Sequence, residues 1–169
     1  MRALTHIRDA TIEDAEAMAR VSVNAWRFAY ATALPPELMA SLDAERRAKR
    51  LREAWQTDVH RLVAVAPNGT LVGFAIEHRP CSLPGFDAEI GAIYIEPAST
   101  RAGIGRRLVE ELVRRFLADG HHSMAIQTLA ENPIGNAFYQ KLGGVPGPAG
   151  TWQGLASNWY LWTDLPAWI

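Results

Sequence analysis

Apolar positions recur along this chain with two alternating periods, and the switches between them divide it into elements. Leu4 to Arg8 reads as a short strand. Thr11 and Asp14 then open a helix like a capping box, and Ile12, Ala15, Ala19, Trp26 and Tyr30 repeat along it near 3.6 residues. Pro35-Pro36 interrupts that helix. A second helical region from about Pro36 to Trp55 turns Leu42, Leu51 and Trp55 inward beneath a charged, solvated face. Arg61 to Ala66 and Leu71 to Glu77 flank Pro67-Asn68-Gly69-Thr70, a hairpin signal. Asp87 to Ile95 is the next strand; strict alternation puts Glu89, Gly91, Ile93 and Ile95 on one face and Ala88, Ile90, Ala92 and Tyr94 on the other. Gly103 to Ala118 is a helix with Ile104, Leu108, Leu112 and Phe116 on one stripe. Ser123 to Leu129 is a strand, a helix starts at Asn132, and a last strand lies near Asn158 to Thr163. Gly143 to Gly154, rich in glycine and proline, reads as a loop. The order β-α-α-β-β-β-α-β-α-β, without repeat or low-complexity linker, predicts a single α/β domain over residues 1–169.

Composition narrows the partners. A chain of 169 residues, 49% hydrophobic and 21% charged, can fill one core. Its net charge of −1 gives no general attraction to nucleic acid or an anionic membrane, so any anion site must be local. One local bias exists: Arg101 to Arg115 holds five arginines against Glu110 and Glu111. A lone Cys81 excludes an intrachain disulfide and suits a reducing compartment. Met1 to His6 lacks the apolar centre of a signal peptide, and no apolar run approaches the roughly 18 residues that span a bilayer. A cytoplasmic protein with no membrane partner is the expectation. His121-His122 lacks an organised Cys/His/carboxylate set, so no metal is expected. Cys81 lies between Pro80 and Pro84 with no evident base to activate it.

The chemistry concentrates where the strand ending at Ile95 runs through Glu96-Pro97-Ala98-Ser99-Thr100-Arg101-Ala102-Gly103-Ile104-Gly105-Arg106-Arg107-Leu108 into a helix. A helix start carries unpartnered N–H groups and a partial positive charge, and so can hold phosphate. Gly103 and Gly105 keep Cβ atoms away, while Arg101, Arg106 and Arg107 add charge. A phosphorylated cofactor is the indicated ligand. A nucleotide-hydrolysing loop needs Gly-Lys-Ser/Thr here, and Arg106-Arg107 follows Gly105 instead. A dinucleotide fingerprint needs a third glycine where Leu108 stands. The segment resembles the acyl-CoA signature Gln/Arg-x-x-Gly-x-Gly/Ala of the GNAT superfamily of N-acetyltransferases, with Thr100 at the Gln/Arg position and the nearest arginine one place later. Asn132-Pro133-Ile134-Gly135-Asn136-Ala137-Phe138-Tyr139-Gln140-Lys141-Leu142-Gly143-Gly144 is similar to that family's Asn-x-x-Ala-x-x-Phe-Tyr-x-Lys-Leu-Gly-Phe, with Gly135 for the alanine and Gly144 for the closing Phe.

On its own residues the second segment is a helix capped by Asn132, with Ile134, Ala137, Phe138 and Leu142 as a buried stripe and Asn132, Asn136 and Tyr139 on a neighbouring polar face. The resemblance implies a mixed, mostly antiparallel twisted sheet flanked by helices and splayed at an acyl-CoA cleft. It implies acetyl-CoA as cosubstrate. The pantetheine arm would run along backbone groups of Ile93, Tyr94 and Ile95, and the pyrophosphate would lie over Arg101, Ala102, Gly103, Ile104, Gly105 and Arg106. Asn132 would add a cofactor contact and Tyr139 a proton or hydrogen bond for the departing thiolate. Glu89, in the strand feeding the cradle, is the candidate to take a proton from the acceptor, with Glu96 or a water chain as competitor. Trp26, Phe28 and Tyr30 are candidates for the acceptor wall, and Trp152, Trp159 and Trp162 for that cavity or a homodimer seam. The acceptor expected is an amine of a small molecule or peptide. A CoA-binding sensor without turnover is the alternative.

Overall fold

The computed structural model describes residues 5–169; Met1 to Leu4, and with them the start of the expected first strand and most of the signal-peptide reading, lie outside the described residues. Strand β1 (His6–Asp9) leads into a 3-10 turn (Ile12–Asp14) closed by a capping box, the Thr11 N–H donating to Asp14 at 2.8 Å. Arg8 grips the same carboxylate at 2.7 and 2.9 Å and holds it below the usual range. Helix α1 (Ala15–Ala29) follows, burying Met18, Val21 and Trp26. Ile12, counted in that stripe from the sequence, is 42% exposed because the tighter 3-10 turn carries it off the helical face.

The expected helix from Pro36 to Trp55 is two: α2 (Pro36–Ala40) and α3 (Ala44–Glu53). Asp43 breaks it by taking an extended backbone and accepting the Arg46 N–H at 2.7 Å, as an N-cap does. Leu42 is buried beside the break. Strands β2 (Arg61–Val65), β3 (Leu71–His78) and β4 (Ala88–Ile95), helix α4 (Ile104–Ala118), strand β5 (Met124–Leu129) and helix α5 (Pro133–Lys141) follow the expected order. Gly143 to Gly154 departs from expectation. Most of it is strand β6 (Val145–Trp152), turning through Gln153 and Gly154, both at positive φ, into β7 (Leu155–Trp162). Pro146 and Pro148 are tolerated because β6 is an edge strand with β7 as its only neighbour. A short helix α6 (Leu165–Trp168), also unforeseen, packs Leu165 inward, and its Trp168 indole donates to the Leu142 carbonyl at 2.6 Å.

Among the described residues seven strands form one sheet in the order β1-β2-β3-β4-β5-β7-β6, antiparallel throughout except for β4 beside β5. One face is covered by α4, whose Leu108, Leu112 and Phe116 are fully buried with Ile90, Met124 and Ile126. The other face carries α1, with Met18 and Val21 against Val63 and Phe74. Replacing Phe116, 0% exposed, with alanine is expected to cost about 3–5 kcal/mol in urea unfolding. The Arg8–Asp14 pair adds a pH term. A carboxyl depressed in the fold stabilises above its unfolded value of about 4 and loses that contribution as pH falls below it. Asp14→Asn is therefore expected to flatten part of the acid limb of stability against pH.

Candidate active site

The parallel pair β4–β5 is short. Ala88, Glu89 and Ile90 pair with Met124, Ala125 and Ile126, and beyond them the two strands have no shared ladder. The cause lies on the other side of β4: opposite β3 the register slips, with Ala92 facing Ile76 but Ile90 facing Glu77, so Gly91 is an extra residue. A bulge of this kind bends a strand and sharpens its twist. It also overturns the strict alternation expected for this strand. Ala88 and Ile90 before the bulge and Ile93 and Ile95 after it all pack into the α4 core, whereas Ala92 and Tyr94 pack on the α1 side, the side Glu89 therefore shares. Only glycine fits at the bulge, since a Cβ at Gly91 would come within 2.7 Å of the His78 Cβ.

The freed edge of β4 is specific about which groups it offers. Glu96 N–H donates to the Val72 carbonyl at 2.8 Å, so by the antiparallel rhythm Tyr94 also bonds back to β3. Ile93 and Ile95 then direct their N–H and C=O groups toward the gap. Of the three residues whose backbone the resemblance implicated, Tyr94 thus contributes its side chain instead.

At the end of that edge α4 begins without a cap. Gly103 stands at its N-cap with φ of +76°, no side chain closes the first turn, and the first internal bond recorded there is Arg107 N–H to the Gly103 carbonyl at 3.1 Å. A Cβ at Gly103 would meet nothing within 4 Å, leaving the helix start open to a ligand. Gly105 is different: its Cβ would meet the Phe138 ring at 3.0 Å, so this glycine admits α5. Arg101 is exposed at φ of +62°, a conformation costly for a residue with a side chain. Arg106 is tied to Glu110 at 2.8 Å. A cleft of about 990 Å³ runs past these groups, lined by Arg101, Gly103, Ile104, Gly105 and Arg106 and by Ile93 to Ile95. Ala102 is not on its wall. Ser99, Thr100, Ile134 and Lys141 are on it; Thr100 stands at the signature's Gln/Arg position and Ile134 in the expected core stripe, but the sequence marks none of the four as a cofactor contact.

Helix α5 presents another face than its periodicity suggested. Ile134 is 52% exposed and Ala137 is exposed, whereas Tyr139 is 6% exposed. Polar bonds set the rotation. Asn132 caps the helix by accepting the Gly135 N–H at 2.9 Å and reaches Thr128 at 3.3 Å; Asn136 accepts from Asn158 at 2.9 Å and Tyr160 at 2.7 Å on β7. Asn136 is consumed in that anchoring and lines neither cavity, which turns Tyr139, one turn on, inward. Gly135 leaves room for the capping side chain, since its Cβ would lie 2.5 Å from Asn132 Nδ2. Gly144, where the family pattern has Phe, is required by the Trp162 ring, which a Cβ there would approach to 2.7 Å.

A second cavity of about 230 Å³ lies between the parted strands on the α1 side, and Trp26, Tyr30, Ile93, Tyr94, Asn132 and Tyr139 border both. At its far end sits Glu89, 5% exposed, one carboxylate oxygen accepting the Ser82 N–H at 2.7 Å. The other oxygen has no partner among the described residues, and since no fully enclosed side-chain polar atom there lacks one, it opens on the cavity. Glu96, its competitor, accepts from Asn24 at 2.9 Å and borders neither cavity. Trp152 lines the smaller cavity, its ring 5.7 Å from that of Trp26, while Trp159 and Trp162 are buried on β7 away from it. Phe28 is 57% exposed on the rim of the larger cleft. Burial holds the phenols protonated: Tyr30 is pushed up to about 12, and Tyr94 and Tyr139 are raised for the same reason, Tyr139 further by its two phenol neighbours. Burial also raises the Cys81 thiol, which touches neither cavity. Among the described residues no group of His, Cys, Asp and Glu is arranged to hold a metal ion, and no helix is long and apolar enough to cross a membrane.

An open strand edge that meets an uncapped helix start across an apolar cleft is an arrangement able to take an extended ligand with an anionic end. The chain belongs to the GNAT family of acetyltransferases, whose profile matches residues 23–144. It is 31% identical over 138 residues to the uncharacterized N-acetyltransferase YuaI of Bacillus subtilis, covering 79% of this chain and 76% of that one. It is 29% identical over 143 residues to a spermidine N(1)-acetyltransferase of Thermoplasma acidophilum, covering 81% and 86% respectively. Its fold superposes on the PaiA N-acetyltransferase of Thermoplasma acidophilum, solved with coenzyme A, with a TM-score of 0.73 at 23% identity over 95% of this chain and 100% of that one. The protein is accordingly an acyltransferase that takes an acetyl group from acetyl-CoA and passes it to an amine.

The bulge makes a direct prediction. Gly91→Ala is expected to cost about 1–3 kcal/mol by overpacking against His78, and His78→Gly, which removes the opposing Cβ, is expected to recover most of that loss in urea unfolding.

Proposed function

We propose that residues 1–169 act as one cytoplasmic catalytic domain that acetylates a primary amine of a small molecule or peptide. The observation that carries this reading is the opening of the uncapped α4 start and the unpaired Ile93 and Ile95 groups on the same cleft of about 990 Å³. In it the cosubstrate's pyrophosphate takes the N–H groups of Ile104, Gly105 and Arg106, with Arg101 supplying charge. The arm pairs with Ile93 and Ile95 as an added strand, which brings the thioester to the junction where the two cavities share Tyr94, Asn132 and Tyr139. The acceptor enters through the smaller cavity between Trp26, Tyr30 and Trp152.

Chemistry then needs a neutral amine and a protonated leaving group. The amine nitrogen attacks the thioester carbon, a C–N bond forms as the C–S bond breaks, and the amine's proton passes to Glu89. A β-strand rises about 3.3 Å per residue, so the four-residue step from Glu89 to Ile93 puts the carboxylate too far for direct transfer, and a water carries the proton. The thiolate takes its proton from Tyr139, whose phenol is protonated at neutral pH. The spermidine acetyltransferase relative supports an amine acceptor, and an acidic group with no lysine or arginine among the described residues lining the smaller cavity suits one that arrives as a cation.

A screen of polyamines, amino acids, aminoglycosides and peptides, read by thiol release from acetyl-CoA, is expected to find an acceptor; release with none of them contradicts the reading. With that acceptor, Tyr139→Phe is expected to lower kcat by ~10²- to 10⁴-fold with little change in acetyl-CoA affinity. Glu89→Gln should lower kcat, again sparing CoA binding. Gly103→Asp, which keeps a residue tolerant of positive φ but sets a carboxylate at the anion site, should weaken CoA binding in calorimetry by more than ~10-fold, with Gly103→Asn as the neutral control.

A further inference from the structure

The half-buried side chain of Tyr94 has a hydroxyl that the acetyl-transfer steps leave unused. Tyr94 is placed on the α1 side by the bulge at Gly91, its backbone groups are engaged with β3, and its side chain borders both cavities. Its ring packs 5.5 Å from Phe74, a contact that a phenylalanine would make equally well. The hydroxyl is what distinguishes it. Trp26 donates its indole N–H to the Tyr94 oxygen at 2.9 Å. An indole is a donor only, so the phenol is the acceptor in that bond, and its own proton must point elsewhere. No group among the described residues accepts that proton.

The indole that sets this direction is itself held. Trp26 lies 4.8 Å from the Tyr30 ring, and Arg47 of α3 stacks over its face at 5.2 Å while bonding Ser22 of α1. The titratable groups facing the Tyr94 phenol are Arg47 from α3, Tyr30 from α1 and Tyr139 from α5. None accepts its proton, and burial keeps all three phenols protonated donors. A part-buried donor aimed into a cavity is satisfied only by a ligand or water there.

We propose that Tyr94 is a further catalytic residue: its hydroxyl, aimed by Trp26, donates a hydrogen bond to the CoA sulfur as negative charge develops there, beside the proton donor Tyr139. Trp26 is then a positioning residue that acts through Tyr94. The assignment rests on the acetyl-transfer reading, which seats the sulfur at the junction of the two cavities.

Free CoA tests this without an acceptor. CoA labelled with ¹³C at the carbon bearing sulfur is bound to the protein and its thiol titrated by NMR. A donor to the thiolate favours the charged form, so the parent-bound thiol should titrate at a midpoint about one pH unit below that in Tyr94→Phe. Trp26→Phe should raise the midpoint in the parent background and add nothing in Tyr94→Phe, a dependence that a packing role would not produce. A monofluorinated tyrosine at position 94 keeps the ring and strengthens the donor, and should lower the midpoint further; it carries the test if Tyr94→Phe does not fold. Equal midpoints in parent, Tyr94→Phe and fluorotyrosine proteins, all saturated with CoA, overturn the assignment to Tyr94. A parent that fails to bind CoA overturns the acetyl-transfer reading, and with it this one.

Discussion

The site exists because two neighbouring strands stop pairing. In a sheet every interior strand normally spends its N–H and C=O groups on both neighbours, and unpaired groups persist only where something else can take them. The extra residue at Gly91 bends β4 away from β5 after a ladder of three residue pairs. The rest of the site depends on that departure. It leaves Ile93 and Ile95 with free backbone groups, opens a cavity on each side of the gap, and moves Tyr94 to the face that Glu89 occupies. His78 enforces the glycine by leaving no room for a Cβ.

Around this gap the polar groups are sorted by whether the fold has already used them. Asn136, the Asn132 amide oxygen and one oxygen of Glu89 are committed to holding α5 and the Ser82 loop. The second Glu89 oxygen, the Tyr139 phenol, the Tyr94 proton and the first N–H groups of α4 are not. Unused groups in a buried setting carry a standing cost, and their convergence on two connected cavities is the arrangement expected of a site whose ligand completes the hydrogen bonding. Burial does a second service. It keeps the phenols neutral, so they can donate to an anion that forms during the reaction.

The order of elements was legible in residues 61–142, where the hairpin turn, the α4 period and the Asn132 cap are strong local signals. The hairpin at Asn68-Gly69, the α4 stripe and the Asn132 cap all stand as read. The failures share a physical cause, which is that a local period cannot register a tertiary constraint. The bulge at Gly91 reverses the faces of β4 without changing its composition. The orientation of α5 is set by Asn136 bonding to β7, so Phe138 and Leu142 of the expected stripe pack inward while Ile134 and Ala137 face out and Tyr139 takes their place. Strand β6 looked like a loop because edge strands accept proline and glycine. The uncapped start of α4 was visible as glycines, yet only coordinates separate Gly103, open to solvent, from Gly105, facing Phe138.

Backbone amides are the groups at stake, so they offer the most direct test. An ¹⁵N-labelled sample titrated with CoA and followed amide by amide should show its largest shifts at Ile93 and Ile95 and at Ile104, Gly105 and Arg106, with Tyr94 N–H, bonded into β3, moving less than its two neighbours. Shifts concentrated on β6 and β7, or a β4 response in which Tyr94 leads Ile93 and Ile95, would contradict the account.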